Sequence, residues 1–313
     1  MTISQRSLGQ GGARILAVAA LVAAPLLWSS TTVMVRGLHE TMPVIGFSFW
    51  RWLLASLVLA PFALPHVIRQ WPLVRANLVT LALAGFFGIA LFAVVLFSGL
   101  RYTSAVNTGV ISASEPLWIA LVAWILLRER LRRMQWVGIA VGAAGMMVIA
   151  SHGEPEGLAG LQVNTGDLLI VAAVVIWALY TVLIQKLSAG LNPLTVLMVT
   201  SAIGSLFHLP FYGWELAAGH DLHLDWPTLL AIGYGAIFGS LVAFGAWNLG
   251  VGLIGANAAG IFLYLIPLFT IGLAAVFLGE ALEPFHVVGG AVIVLGIVLA
   301  TRRARARAAG IAD

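Results

Sequence analysis

Residues 114–130 read SEPLWIALVAWILLRER, and residues 265–281 read LIPLFTIGLAAVFLGEA. The two stretches share one frame. Pro116 falls on Pro267, Leu117 on Leu268, Ala123 on Ala274, Leu127 on Leu278 and Glu129 on Glu280. The frame breaks at Glu115, which falls on Ile266. A membrane β-strand would alternate apolar and polar residues over about ten positions, whereas runs such as LVAWILL are continuously apolar. Each stretch therefore reads as part of a membrane-crossing helix, which needs about 20 mostly apolar residues.

The rest of the chain agrees. Of its 313 residues 61% are hydrophobic and 9% charged, with a mean hydropathy of +1.03, against roughly 25% charged in a soluble domain. Apolar runs of spanning length recur at 15–35, 43–65, 76–98, 103–127, 134–151, 167–185, 193–213, 228–250, 256–279 and 285–301. The fold expected is an all-α polytopic membrane protein with ten transmembrane helices. With no cysteine, disulfides, thiolate catalysis and cysteine metal sites are excluded.

Charge sets the expected orientation. With the N-terminus inside, the inner face holds Arg6, Arg14, Arg69, Arg75, Arg128, Arg130, Arg132, Arg133, Lys186, Arg302, Arg303, Arg305 and Arg307. The outer face then holds Arg36 and Arg101, and Arg51 lies within a span. By the positive-inside rule both termini are cytoplasmic, in an inner (plasma) membrane of bacterial type. The basic tail, 303–313, reads as an anchor facing anionic lipid rather than a nucleic-acid patch. The first apolar run has the flanks of a signal peptide, but LLWSSTTVMVRGL at 26–38 resembles VIWALYTVLIQKL at 175–187, with Trp28 on Trp177. A segment with a twin later in the chain is expected to be retained.

The repeat extends over both halves. FFG at 86–88 matches IFG at 237–239, Gly99 matches Gly250, Gly138 matches Gly289 and Gly145 matches Gly296. This divides the chain into five-helix repeats at 15–151 and 167–302. Five is odd, so the second repeat is expected to sit upside down relative to the first. Inverted repeats of this kind characterise secondary transporters, with the substrate site near the midplane between the halves.

The doubled pattern PL-x5-A-x3-L-x-E-x-L, each followed by a Gly-rich span, resembles the EamA domain of the drug/metabolite transporter superfamily. So do LWSS in the first span, FWRWLLAS at 49–56 and AWNLGVGLIGANAA at 246–259. The resemblance implies a ten-helix inverted-repeat carrier with cytoplasmic termini that moves small metabolites, amino acids among them, often outward. AWN-x-G and the aromatic-rich spans are similar to the family's aromatic amino-acid exporters.

Two ionisable side chains, Arg51 and Glu115, stand deep in spans, where charge is costly and therefore a functional candidate. Ser104, Thr108, Ser112, Glu115 and Trp118 follow steps of four, four, three and three, which places them on one helical face. Ala105, Gly109 and Ala113 offer a small-residue face for packing on the other side. Glu115 has three readings: a structural partner for Arg51, a ligand for a substrate ammonium, or a proton carrier. Arg51 is either structural or a grip for a substrate carboxylate. Pro116 and Pro267 are expected to kink their helices and free a backbone carbonyl near Ser112. Trp28, Trp177, Tyr180, Phe238 and Trp247 fall inside spans and are candidates to line the cavity, with Asn257 as a polar handle.

Other signals are weaker. His220 and His223 have HxxH spacing but fall in a loop, so no metal site is expected. Without a phosphate-binding loop or a nucleophile–base set, no cofactor and no catalysis are expected. The partners expected are a small-molecule substrate and the bilayer, with no nucleic acid and no obligatory protein. The function expected is a secondary exporter or facilitator of small metabolites. The alternatives are a proton-coupled drug or cation exporter and, from another class, a membrane-embedded lipid-modifying enzyme.

Overall fold

A computed structural model describes residues 10–38, 43–154, 164–223 and 225–301. Its ten spanning helices are α1 (Gln10–Leu38), α2 (Val44–Arg69), α3 (Leu78–Leu100), α4 (Ala105–Ser112 and Glu115–Leu127), α5 (Arg133–Ala150), α6 (Thr165–Ser188), α7 (Pro193–Ala217), α8 (Trp226–Ile254), α9 (Ala256–Leu278) and α10 (Pro284–Thr301). The all-helical, ten-span expectation holds, and the described residues contain no strand. The tail at 303–313 lies outside the described residues.

Helices are the available solution here because hydrocarbon offers no partner for a free backbone N–H or C=O. Side chains supply partners at the helix starts. Ser104 caps α4, Asn164 caps α6, Asn192 caps α7 and Asp225 caps α8, each accepting from a backbone N–H. Glu215, buried near the end of α7, accepts from the N–H of Ile45 (3.2 Å) and Gly46 (2.6 Å) at the start of α2. Trp71, Trp136, Trp214 and Trp226 are more than half exposed, at helix ends where an interfacial aromatic belt belongs.

The helix contacts come in matched pairs. α1 packs on α8 and α9, while α6 packs on α3 and α4; α2 packs on α7 and α5 on α10. Thus α1 packs on helices from the second half of the chain, and α6 on helices from the first. The α5–α10 seam is built on glycines. A Cβ on Gly138 would stand 2.5 Å from the Gly296 carbonyl, and one on Gly145 would stand 2.7 Å from the Gly289 carbonyl. Only a residue without a side chain lets two helix backbones approach so closely.

α3 and α8 each widen into a π-helical segment at matching positions, Phe86–Leu91 and Gly235–Val242. Such segments shift backbone carbonyls out of the helical ladder and recur at functional sites. In α3 the space beside Gly88 is filled by the Tyr180 ring, whose Cδ2 would be 2.1 Å from an added Cβ.

Candidate functional site

The site begins where α4 is interrupted. Ser112 ends one helical piece and Glu115 begins the next. Pro116 has no N–H to give, and Leu117 turns its N–H to the Ser114 carbonyl at 2.9 Å. The carbonyl of Ala113 is left outside the ladder, one residue beyond the position the sequence suggested. The Tyr264 hydroxyl, from α9, donates to it at 2.6 Å. α9 is irregular at the same level, passing through a tighter 3-10 turn over Gly260–Tyr264 before Pro267. Tyr264→Phe is expected to leave that buried carbonyl unpaired and to cost about 1–2 kcal/mol, read as a lower melting temperature of the purified protein.

Glu115 opens the second piece of α4 half-buried. Among the described residues no group hydrogen-bonds to its carboxyl, and the Tyr264 phenol is within electrostatic reach. The polar face continues above it: Thr108 and Ser112 are half-buried, and Trp118 donates from Nε1 to Ser114 Oγ at 3.2 Å. The opposite face packs on α5, where Gly109 approaches Ala150. One side of α4 is thus closed by packing, and the other carries an acid with no partner among the described residues.

A second feature is an aromatic centre built from both halves of the chain. The Trp28 ring stands 5.3 Å from Trp177, 5.4 Å from Phe244 and 5.7 Å from Trp247. Trp52 meets Phe244 edge-on at 4.6 Å. Tyr180 lies 5.2 Å from Trp177 and donates to Asn248 Oδ1 at 2.9 Å. Trp28 gives its indole N–H to the Gly239 carbonyl in the π-segment of α8 at 3.1 Å. The N–H groups of Trp52, Trp177 and Trp247 are buried with no partner, as is Asn248 Nδ2. Each such orphan costs about 1–3 kcal/mol.

Arg51 is engaged elsewhere. Its Nη1 donates to Ser240 Oγ at 2.7 Å, on the same π-segment, and its guanidinium sits 5.1 Å from the Trp52 ring centroid. It does not meet Glu115, so a structural Arg51–Glu115 pair is not formed. Phe238 is 41% exposed and leans on Tyr234 at 4.8 Å, outside the aromatic centre. Asn257 is buried, but in the first turn of α9 rather than at mid-membrane.

Several residues escaped the sequence reading. His208 is fully buried within α7; its Nδ1 donates to the Gly204 carbonyl at 3.1 Å, and its Nε2 has no partner. Its position inside an apolar run was signal enough. Asp167 accepts from Thr103 and from Asn107 Nδ2 (2.9 Å), tying the start of α6 to that of α4. Gln185 bridges the far end: its Nε2 donates to Glu129 at 2.6 Å and its Oε1 accepts from Ala256 N at 2.6 Å. Phe244 carries no polar mark, and only the packing shows it at the middle of the rings.

Residues 15–151 and again 164–302 match the EamA-like transporter family. The chain belongs to that family. Among the chain's relatives is the uncharacterized transporter YetK of Bacillus subtilis, 32% identical over 291 residues, covering 90% of this chain and 85% of the relative. The probable terminal-alkyne amino-acid exporter of Streptantibioticus cattleyicolor is 29% identical, covering 93% and 95%. The uncharacterized inner membrane transporter YedA of Escherichia coli K12 is 27% identical, covering 90% and 89%. A solved crystal structure superposes with a TM-score of 0.69 at 23% identity, over 94% of this chain and 97% of the other, and so shares the fold. The ten-helix membrane fold and transporter class expected for an EamA member are thus in place.

Proposed function

We propose that this membrane transporter exports small zwitterionic metabolites, amino acids with aromatic or apolar side chains among them, across an inner membrane. The observation that carries the reading is Glu115, an acid at a helix break within the membrane that no group among the described residues satisfies. A buried charge is retained at such cost when it has a ligand to meet. A substrate ammonium fits the carboxyl, and the rings of Trp28, Trp177 and Trp247 fit a flat or apolar body. Thr108, Ser112 and Trp118 extend the polar wall. The name of the Streptantibioticus relative, a probable amino-acid exporter, points the same way; that of YedA supports the inner membrane.

The contacts between halves support alternating access. If the repeats at 15–151 and 167–302 are inverted copies, residues of matching position meet near the axis. Trp28 and Trp177 touch, and so do Ala113 and Tyr264. The seam pairs Gly138 with Gly296 and Gly145 with Gly289, which is the same contact with the halves exchanged. The breaks before Pro116 and Pro267 are then the hinges. The end carrying Arg69, Arg75, Arg128–Arg133 and Lys186 faces the cytoplasm, and so do both termini. There Glu129, Gln185 and Ala256 N hold the halves closed.

The unpartnered carboxyl also suits a proton-coupled exporter of cations. Uptake into proteoliposomes of labelled amino acids, nucleosides and cationic dyes, at several pH values, separates the two. The proposal expects aromatic amino acids to move at least tenfold faster than the dyes. Dye transport in exchange for protons would establish the alternative, and movement of none would defeat both.

A further inference from the structure

The aromatic centre holds more hydrogen-bond donors than acceptors. Among the described residues Trp52 Nε1, Trp177 Nε1, Trp247 Nε1 and Asn248 Nδ2 have no partner, on side chains at least 97% buried. They come from α2, α6 and α8 and share ring neighbours: Phe244 touches Trp52 and lies 5.7 Å from Trp177, which lies 5.8 Å from Trp247. The other donors of the centre are satisfied, Trp28 by Gly239 and Tyr180 by the Asn248 carbonyl oxygen. The Thr181 hydroxyl, on α6 beside Tyr180, is also buried and unpaired, and can serve either role. Native interiors pair nearly all such groups. A set left open in one direction, toward acceptors, describes the ligand that would close it.

We propose that these N–H groups form the subsite for the carboxylate of the transported molecule, engaged when the rings part to admit it; this deepens the transport reading above and rests on it. Hydrogen bonds from N–H to a charged oxygen are the stronger class, and neutral donors provide them without a second formal charge in the bilayer. Arg51 is the obvious rival, but its guanidinium is tied to Ser240. Glu115 supplies the opposite pole at similar depth. It stands 12 residues from Leu127 and Trp177 stands 11 from Ser188, roughly 18 and 17 Å from that end of their helices at 1.5 Å per residue. The substrate class so defined is a zwitterion with a compact apolar or aromatic body. A cation without an acceptor would leave the N–H groups unpaired.

The test uses purified full-length protein in lipid nanodiscs and three probes: L-phenylalanine, phenylacetate and phenethylamine. Trp177→Phe and Trp247→Phe, made singly and together, keep a ring and remove an N–H. Phenylacetate, which has no ammonium, is expected to raise the melting temperature of the unmodified protein. The double variant, or either single one if the double does not fold, is expected to bind phenylalanine and phenylacetate at least tenfold more weakly. Its phenethylamine affinity should stay within twofold. Equal weakening for all three probes, or no thermal response to phenylacetate in the unmodified protein, would overturn the subsite. Phenylacetate binding without transport of any labelled probe would refute the transport reading and leave the subsite standing.

Discussion

Glu115→Gln is expected to cut L-phenylalanine uptake into proteoliposomes at least about 30-fold. Removing one partner of a desolvated charge pair costs about 2–5 kcal/mol, and each 1.4 kcal/mol is a factor of ten. Glutamine keeps the shape and one carbonyl oxygen but cannot balance an ammonium. A neutral amide is also cheaper than a carboxylate in hydrocarbon, so the melting temperature should stay level or rise. Loss of transport with retained stability would mark a ligand or coupling group. Unchanged rates together with an unchanged pH profile would remove Glu115 from the site altogether.

Gly296→Val is expected to be the most damaging single change to the fold. A Cβ there would stand 2.6 Å from the Gly142 nitrogen and 2.7 Å from the Gly138 carbonyl oxygen. Both obstacles are backbone, so α5 and α10 must separate along their length instead of repacking one side chain. Overpacking of a tight interior costs about 1–3 kcal/mol, and the upper end is expected here, read as early thermal unfolding in detergent. Gly272→Ala, in α9, is the control: nothing lies within 4 Å of its added Cβ, and its melting temperature should be unchanged or slightly higher. Similar losses for both variants would mean that the α5–α10 seam does not hold the bundle together.

The fold could be read from the sequence because bilayer thickness imposes a length and hydrocarbon imposes a composition, and both are visible in one dimension. The repeated motif is visible in one dimension too, with Pro116 and Pro267 at matching places in the two stretches. The candidate site could be proposed from charge, at Glu115, and from repeated aromatics, at Trp28 and Trp177. It was not legible where packing alone decides. Phe238 and Phe244 differ little in composition or surroundings along the chain, yet one leans outward on Tyr234 and the other stands at the middle of the rings. Nothing in the sequence says that Arg51 turns to Ser240 instead of Glu115, because that choice depends on the widened turn of α8. His208 was overlooked although the rule for ionisable groups in a span covers it.

The bond from Tyr264 to the Ala113 carbonyl has a consequence for the acid two residues away. In two identical halves related by a twofold axis at this point, a glutamate at position 115 would sit near its own copy. Two like charges would then share a place from which water is excluded, and one proton would have to serve both. This chain has isoleucine at the matching position, 266. On the proposed reading, an acid at 115 with no matching acid at 266 gives the substrate one way round to lie.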